Sequence, residues 1–163
     1  MRKPETEDVP EDGLEGNTAE WCTAIKSASA GEGGQGIQFR GPGYAYKCSV
    51  FGGGGEGFQI QEDVSDVTIE RCVAINNAKG GIEIKADATA NTLSHNLVIK
   101  NDGVGIKVEE GAGGAEDAEK NEIVYNFVLG NETLDLNDEN GNCDSNWWYK
   151  NFAKKGKPDC TLD

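Results

Sequence analysis

A block of this chain recurs, and the recurrence limits the fold more than any other feature. VTIERCVAINNAKGGIEI (67–84) is followed 24 residues later by NTLSHNLVIKNDGVGIKV (91–108), with apolar, amide and glycine positions in the same order. GYAYKCSVFGGGGEGFQI (43–60) precedes it by the same interval, and NEIVYNFVLGNETLDL (121–136) is a shorter copy. Within each block apolar residues alternate over four or five positions and then give way to Gly or Asn. That pattern reads as strand followed by turn, and no stretch shows helical spacing.

A short period holding two or three strands predicts an all-β solenoid, a parallel β-helix in which each block is one coil stacked on the last. Equivalent residues of successive coils then lie about 4.8 Å apart in columns. One column is Cys22, Cys48, Cys72, Asn96 and Asn126; a second is Gly53, Asn77, Asn101 and Asn131; a third is Phe58, Ile82, Ile106 and Leu134. The asparagines are expected to form ladders, each amide bonding its equivalent in the next coil and satisfying backbone groups freed by the bend. Gly57, Gly81 and Gly105, each just before a strand, read as turn residues.

The chain has 163 residues and 29 acidic against 15 basic side chains, a net charge of −14. One domain is expected. Charge of this sign opposes phosphate binding and makes nucleic acid a poor partner. No run of 18 apolar residues exists to span a bilayer, and the polar start lacks the apolar stretch of a signal peptide. Residues 1–20 read as an acidic tail or cap, 21–141 as the β-helix of about five coils, and 142–163 as an aromatic C-terminal cap.

The repeat N-x-I/L-x-x-N-x-V-x-x-N followed by G-I-x-I/V resembles the right-handed parallel β-helix of pectin-lyase-like proteins, over roughly Cys22 to Leu136. The stretch NCDSNWWYKNFAKKGKPDC (142–160) is similar to the cysteine-flanked ending of secreted members. The resemblance implies a secreted, extracellular or surface location and a right-handed coil. It leaves activity open, because the superfamily includes lyases, epimerases and noncatalytic proteins. Cys143 and Cys160, flanking the aromatic segment, are expected to form a disulfide closing the C-terminal cap. Cys22, Cys48 and Cys72 are expected to stack as unpaired thiols, because in-register parallel side chains do not favour the dihedral of about 90° that a bridge needs.

Acid–base chemistry on a uronate needs a base and cations. Lys47, Arg71, His95 and Tyr125 share one outer column and are the catalytic candidates, set against the reading that they are long side chains facing water at a bend. Calcium is the one cofactor raised by the acidic loops, at Glu109, Glu110, Glu116, Asp117 and Glu119 and at Asp135, Asn137, Asp138 and Glu139. Neither set has calcium-loop spacing, so no metal site or other cofactor is assigned. Trp147, Trp148, Tyr149 and Phe152 read as a plug over the open end, with stacking on sugar rings as the alternative.

CVAI, NLVI and NFVL carry three successive apolar residues, where a strand with one face in water should alternate. With Val50, Ala74, Val98 and Val128 inward, an outer face made of Phe51, Val73, Ile75, Leu97, Ile99, Phe127 and Leu129 remains to be covered. The sequence therefore favours a noncatalytic structural module that forms a homo-oligomer or docks a partner through this face. The alternative is a carbohydrate-active relative of lyases or epimerases acting on acidic polysaccharide.

Overall fold

The computed structural model describes residues 5–6, 18–25, 34–111, 117–140 and 145–162, and every absence or count given below refers to these. Apart from one 3₁₀ turn, Asp159–Leu162, all regular structure is β. The strands form three parallel six-stranded sheets. The first sheet holds Glu5–Thr6, Thr23–Ile25, Ser49–Phe51, Val73–Ile75, Leu97–Ile99 and Phe127–Leu129; the second holds Thr18–Glu20, Gly43–Tyr46, Val67–Glu70, Thr92–Ser94, Glu122–Val124 and Trp147–Tyr149. The third holds Ile37–Phe39, Phe58–Ile60, Ile82–Ile84, Ile106–Val108, Leu136–Asp138 and Gly156–Lys157. Each coil visits the second, first and third sheets in turn, so the chain is a parallel β-solenoid of about five turns.

Pairing is strictly between equivalent residues of neighbouring coils: Ile82 faces Phe58 on one side and Ile106 on the other. Inward positions fill a narrow apolar core, with Ile60, Ile84, Ile69, Leu93, Ile123, Val50, Ala74, Val98 and Val128 all fully buried. Removing each large side chain from water contributes about 1.5 to 3 kcal/mol. In the third column the partner of Ile106 is Leu136 rather than Leu134. The strand begins five residues after the ladder asparagine in this coil too, so the offset from Asn131 fixes the register.

The asparagine ladders are present and longer than the sequence columns. Asn77 Nδ2 donates to Asn101 Oδ1 at 2.9 Å, and Asn101 Nδ2 to Asn131 Oδ1 at 2.9 Å. Asn96 Nδ2 donates to Asn126 Oδ1 at 3.0 Å, and Asn126 Nδ2 to Asn151 Oδ1 at 3.0 Å. A third ladder runs through Asn91, Asn121 and Asn146. Each Oδ1 also accepts from the backbone N–H of the preceding coil's asparagine, as Asn126 does from Asn96 at 2.9 Å. Two of the three ladders end on a carboxylate: Asn131 Nδ2 donates to Asp135 Oδ1 at 3.3 Å, and Asn146 Nδ2 to Asp138 Oδ2 at 3.2 Å. Trp148, the buried member of its strand, donates from Nε1 to Asp138 Oδ2 at 2.8 Å.

One local reading is extended and one corrected. Gly57, Gly81 and Gly105 stand at bends, and what requires glycine there is close approach rather than a positive φ. A Cβ at Gly81 would overlap Val98 Cγ1 and sit 2.6 Å from the Gly105 carbonyl oxygen, while the positive-φ glycines are Gly52 and Gly130. Of the three cysteines expected to be free, Cys22 and Cys48 form a disulfide with Cα atoms 4.6 Å apart, and only Cys72 is a free thiol. Stacked coils place the Cα atoms inside the bridging range. Parallel Cα–Cβ vectors leave χ1 free to turn the sulfurs toward each other. The expected Cys143–Cys160 bridge lies outside the described residues, as does most of the acidic tail.

Asn126 makes four side-chain hydrogen bonds: it donates to Leu93 O and Asn151 Oδ1 and accepts from Asn96 N and Nδ2. Asn126→Ala should lower unfolding stability by roughly 2 to 4 kcal/mol, because buried partners are left unpaired. Glu132→Ala, at an exposed position, should stay within about 0.5 kcal/mol. Urea midpoints for the two variants check this.

Candidate functional site

Three outward surfaces run along the solenoid, and each has its own chemistry. On the first sheet, residues flanking the inward Val50, Ala74, Val98 and Val128 form two apolar rows. Ser49, Val73, Leu97 and Phe127 face one another in register, as do Phe51, Ile75, Ile99 and Leu129. Most are half-buried against their own neighbours, but Phe127 is 43 % and Ile25 60 % exposed. Phe152, from the next coil, stacks on Phe127 with ring centroids 4.8 Å apart. All seven residues expected to form the apolar face therefore share one face.

The four catalytic candidates also fall in one line, at the corner between the second and first sheets. Trp21, Lys47, Arg71, His95, Tyr125 and Lys150 occupy equivalent positions there, with φ between 51° and 57°. A left-handed residue with a Cβ costs about 1 to 2 kcal/mol. The neighbouring ladder hydrogen bonds hold it, and its side chain is turned outward. These side chains engage one another. Lys47 Nζ lies 4.1 Å from the Trp21 ring centroid and 4.8 Å from that of Tyr46. Arg71 Nη1 donates to Tyr46 Oη at 3.0 Å and pairs with Glu70 at 3.2 Å. His95 stacks on Tyr125 at 5.2 Å, and Lys150 lies 4.9 Å from the Tyr149 centroid. Hydrogen bonding to Lys47 and then to Arg71 lowers the Tyr46 pKa from its ordinary value. The result is a row of mutually satisfied groups rather than groups converging on one point. Trp147, 60 % exposed, and Tyr149 extend the row in the last coil, while Trp148 alone of the aromatic triplet packs inward.

The third sheet carries the densest polar network, and sequence reasoning missed it. Outward residues form two polar rows, Gln59, Glu83, Lys107 and Asn137 in one and Gln61, Lys85, Glu109 and Glu139 in the next, with opposite charges adjacent at Glu83 and Lys107 and at Lys85 and Glu109. Gln38 donates to Gln59 Oε1 at 2.8 Å, and Gln59 to Glu83 Oε2 at 2.7 Å. Lys107 reaches Glu109 at 3.0 Å, Glu139 at 3.4 Å and Glu83 at 3.7 Å, while Lys85 reaches Glu109 at 3.1 Å and Glu83 at 3.4 Å. The signal was available, since Glu83 and Lys107, like Lys85 and Glu109, stand 24 residues apart in the repeat.

Beside this network lies a cleft of about 190 Å³ lined by Glu56, Lys79, Gly80, Ile82, Glu83, Gly103, Val104 and Lys107. Glu56 and Glu83 are both more than nine-tenths buried. Burial pushes the Glu83 carboxyl above its ordinary pKa, opposed by the Gln59 hydrogen bond and reinforced by the charge of Glu56. Glu109 moves the other way: burial opposes its charge, but hydrogen bonds from Lys107 and Lys85 hold its pKa below the ordinary value. Such a cleft holds a carboxyl biased toward its acid form beside a second carboxylate and two lysines. No group of three or more His, Cys, Asp or Glu side chains among the described residues is placed to hold a metal ion.

Because the folded-state pKa of Glu83 is raised, its favourable contribution is full at acid pH and is lost as pH rises through that pKa. Glu83→Gln keeps the acceptor for Gln59 without the buried charge. Relative to wild type, the variant should therefore be more stable at pH 7 than it is at pH 4, read from paired urea titrations. An advantage that grew toward acid pH would contradict the assignment.

No helix among the described residues is long and apolar enough to cross a membrane. No curated protein matches the chain, and no solved structure does. One family model matches, described as a right handed beta helix region, over residues 11–128. This span takes in four of the stacked coils, their ladders and all three outward surfaces, so the chain belongs to the right-handed β-helix family.

Proposed function

We propose that this chain is a rigid, noncatalytic module, secreted or carried at a cell surface, that docks through the apolar outer rows of its first sheet, first of all onto a second copy of itself. The observation that carries the reading is the contrast between surfaces. On the third sheet and at the corner, charged and aromatic groups are satisfied by one another. On the first sheet, Val73, Ile75, Leu97, Ile99, Phe127 and Leu129 have only apolar neighbours to offer. Covering each contributes about 1.5 to 3 kcal/mol before the cost of association. The Cys22–Cys48 disulfide is compatible with an oxidising compartment.

The size of the face sets the strength. Strands of three residues, stacked about 4.8 Å apart, give a face well short of the roughly 800 Å² per partner of stable complexes. Exposed Phe152, stacked on Phe127, and Tyr125 at the adjoining corner widen it. Reversible association in the micromolar range is the expected outcome. Light scattering should show mass rising with concentration, and Ile75→Asp with Ile99→Asp should return the chain to monomer with an unchanged circular dichroism spectrum. A wild-type chain that stays monomeric at high micromolar concentration removes the reading.

The carbohydrate-active alternative has one observation in its favour, the cleft holding Glu56 and Glu83. It requires turnover of acidic polysaccharide, detected by ultraviolet absorbance of unsaturated uronate products or by new reducing ends, and abolished by Glu83→Gln.

A further inference from the structure

The free thiol of Cys72 stands next to a disulfide that it is placed to attack. Two sets of contacts show that Cys72 is related to Cys48 as Cys48 is to Cys22. The Cys48 sulfur lies 3.2 Å from Ala19 O and 3.7 Å from Tyr46 O. The Cys72 sulfur lies 3.4 Å from Ala45 O and 3.4 Å from Glu70 O. Ala45 is the register partner of Ala19, and Glu70 that of Tyr46. The backbone agrees: Ser49 N donates to Cys22 O at 2.9 Å, and Val73 N to Cys48 O at 2.8 Å. Cys48 N donates to the Cys72 sulfur at 3.4 Å, as Cys72 N donates to Asn96 Oδ1. A spacing that bridges the first pair therefore recurs at the second. Because the coils stack along one axis, Cys72 lies on the side of Cys48 opposite Cys22, the side from which thiol–disulfide exchange proceeds.

The geometry points to a disulfide relay in which the bridge moves by one coil, from Cys22–Cys48 to Cys48–Cys72, and releases Cys22 as a thiol. The Cys72 thiol gives its proton to solvent and its thiolate attacks the Cys48 sulfur. The 72–48 bond forms as the 48–22 bond breaks, and the departing Cys22 thiolate takes up a proton. The electron count is unchanged within the column and the proton lost by Cys72 is balanced by the one Cys22 takes up, so no outside oxidant or reductant is needed.

The exchange changes what the molecule offers to solvent. Cys72 is 1 % exposed and Cys22 9 %, at the outermost of the three positions and beside the exposed Trp21. The relay thus moves the free thiol from the third coil to the slightly less shielded first coil and unties the first coil from the second. Burial also sets its pace, pushing the Cys72 thiol up to about 11. The charged group facing it is the Glu70 carboxylate; Cys48 and Asn96 are its neutral column neighbours, and Lys47 and Arg71 project outward from the adjoining corners. Below that value the thiolate fraction, and with it the exchange, should rise about tenfold per pH unit.

The test is disulfide mapping by mass spectrometry after rapid acid quenching and alkylation. Wild type held at pH 9 should acquire a Cys48–Cys72 bridge together with labelled Cys22, about a hundredfold faster than at pH 7. Cys72→Ser should keep Cys22–Cys48 alone at both pH values. Cys22→Ser, oxidised mildly, should form Cys48–Cys72. Wild type that retains only Cys22–Cys48 at pH 9 overturns the relay whether or not Cys22→Ser folds. A folded Cys22→Ser chain with thiols at both 48 and 72 after oxidation overturns it as well.

Discussion

The structure depends on how backbone polar groups are satisfied at the corners. Strands of three residues leave much of each coil in bends, and these bends lie against a fully apolar core. A buried N–H or C=O without a partner costs about 1 to 3 kcal/mol. The ladder asparagines meet that demand with one side chain per corner: Oδ1 takes the N–H and Nδ2 of the coil before, and Nδ2 reaches a carbonyl oxygen of an earlier strand, as Asn96 does to Ile69 O at 2.8 Å. Each amide thus supports its neighbours as well as itself. Where the column changes to cysteine, sulfur takes over the acceptor role at longer range, and there a covalent bond joins the first two coils.

Much of this could be read from the repeat. Columns spaced by 24 residues, or by 30 across the insertion at 109–120, gave the coils, the inward Val50, Ala74, Val98 and Val128, and the ladders through Asn96 and Asn126, because facing follows from the position of each residue in its coil. What escaped the sequence was mostly interaction between columns. Asn146 and Asn151 continue the ladders past the last recognised repeat, in a segment whose tryptophans drew attention from its amides. Gly81 was legible as a turn residue, but the close passage of Val98 that excludes a Cβ there was not, since it depends on a residue in another sheet. The cysteine pairing turned on side-chain torsions that no spacing encodes.

The three outward surfaces divide the chemistry of the molecule. Adjacent Glu and Lys on the third sheet give each charge an opposite neighbour one coil away, in a chain whose overall charge is −14. The corner places cations over aromatic rings, where each contact contributes about 0.5 to 1 kcal/mol at exposed sites. These arrangements make the rod stiff while leaving little polar reactivity unspent outside the cleft at Glu56 and Glu83. The apolar first sheet is the surface whose groups find no such complement within the coil.

The ladders also give the rod a direction. Between rungs, each Nδ2 donates to the Oδ1 of the next, more C-terminal amide and each Oδ1 accepts from the rung before, so the last rung of the Asn77–Asn101–Asn131 ladder needs a new acceptor. Asp135 answers this with an acceptor-only side chain, taking Asn131 on Oδ1 and the backbone N–H groups of Lys154 and Lys155 on Oδ2 at 3.1 Å. It serves a stack of side chains as an N-cap carboxylate serves a helix. The two ends of this ladder consequently obey different rules for growth. A rung inserted between existing ones inherits its partners, whereas one added beyond Asn131 needs the Asp135 carboxylate moved to the new terminus, which makes Asp135 the stop signal of the Asn77–Asn101–Asn131 ladder.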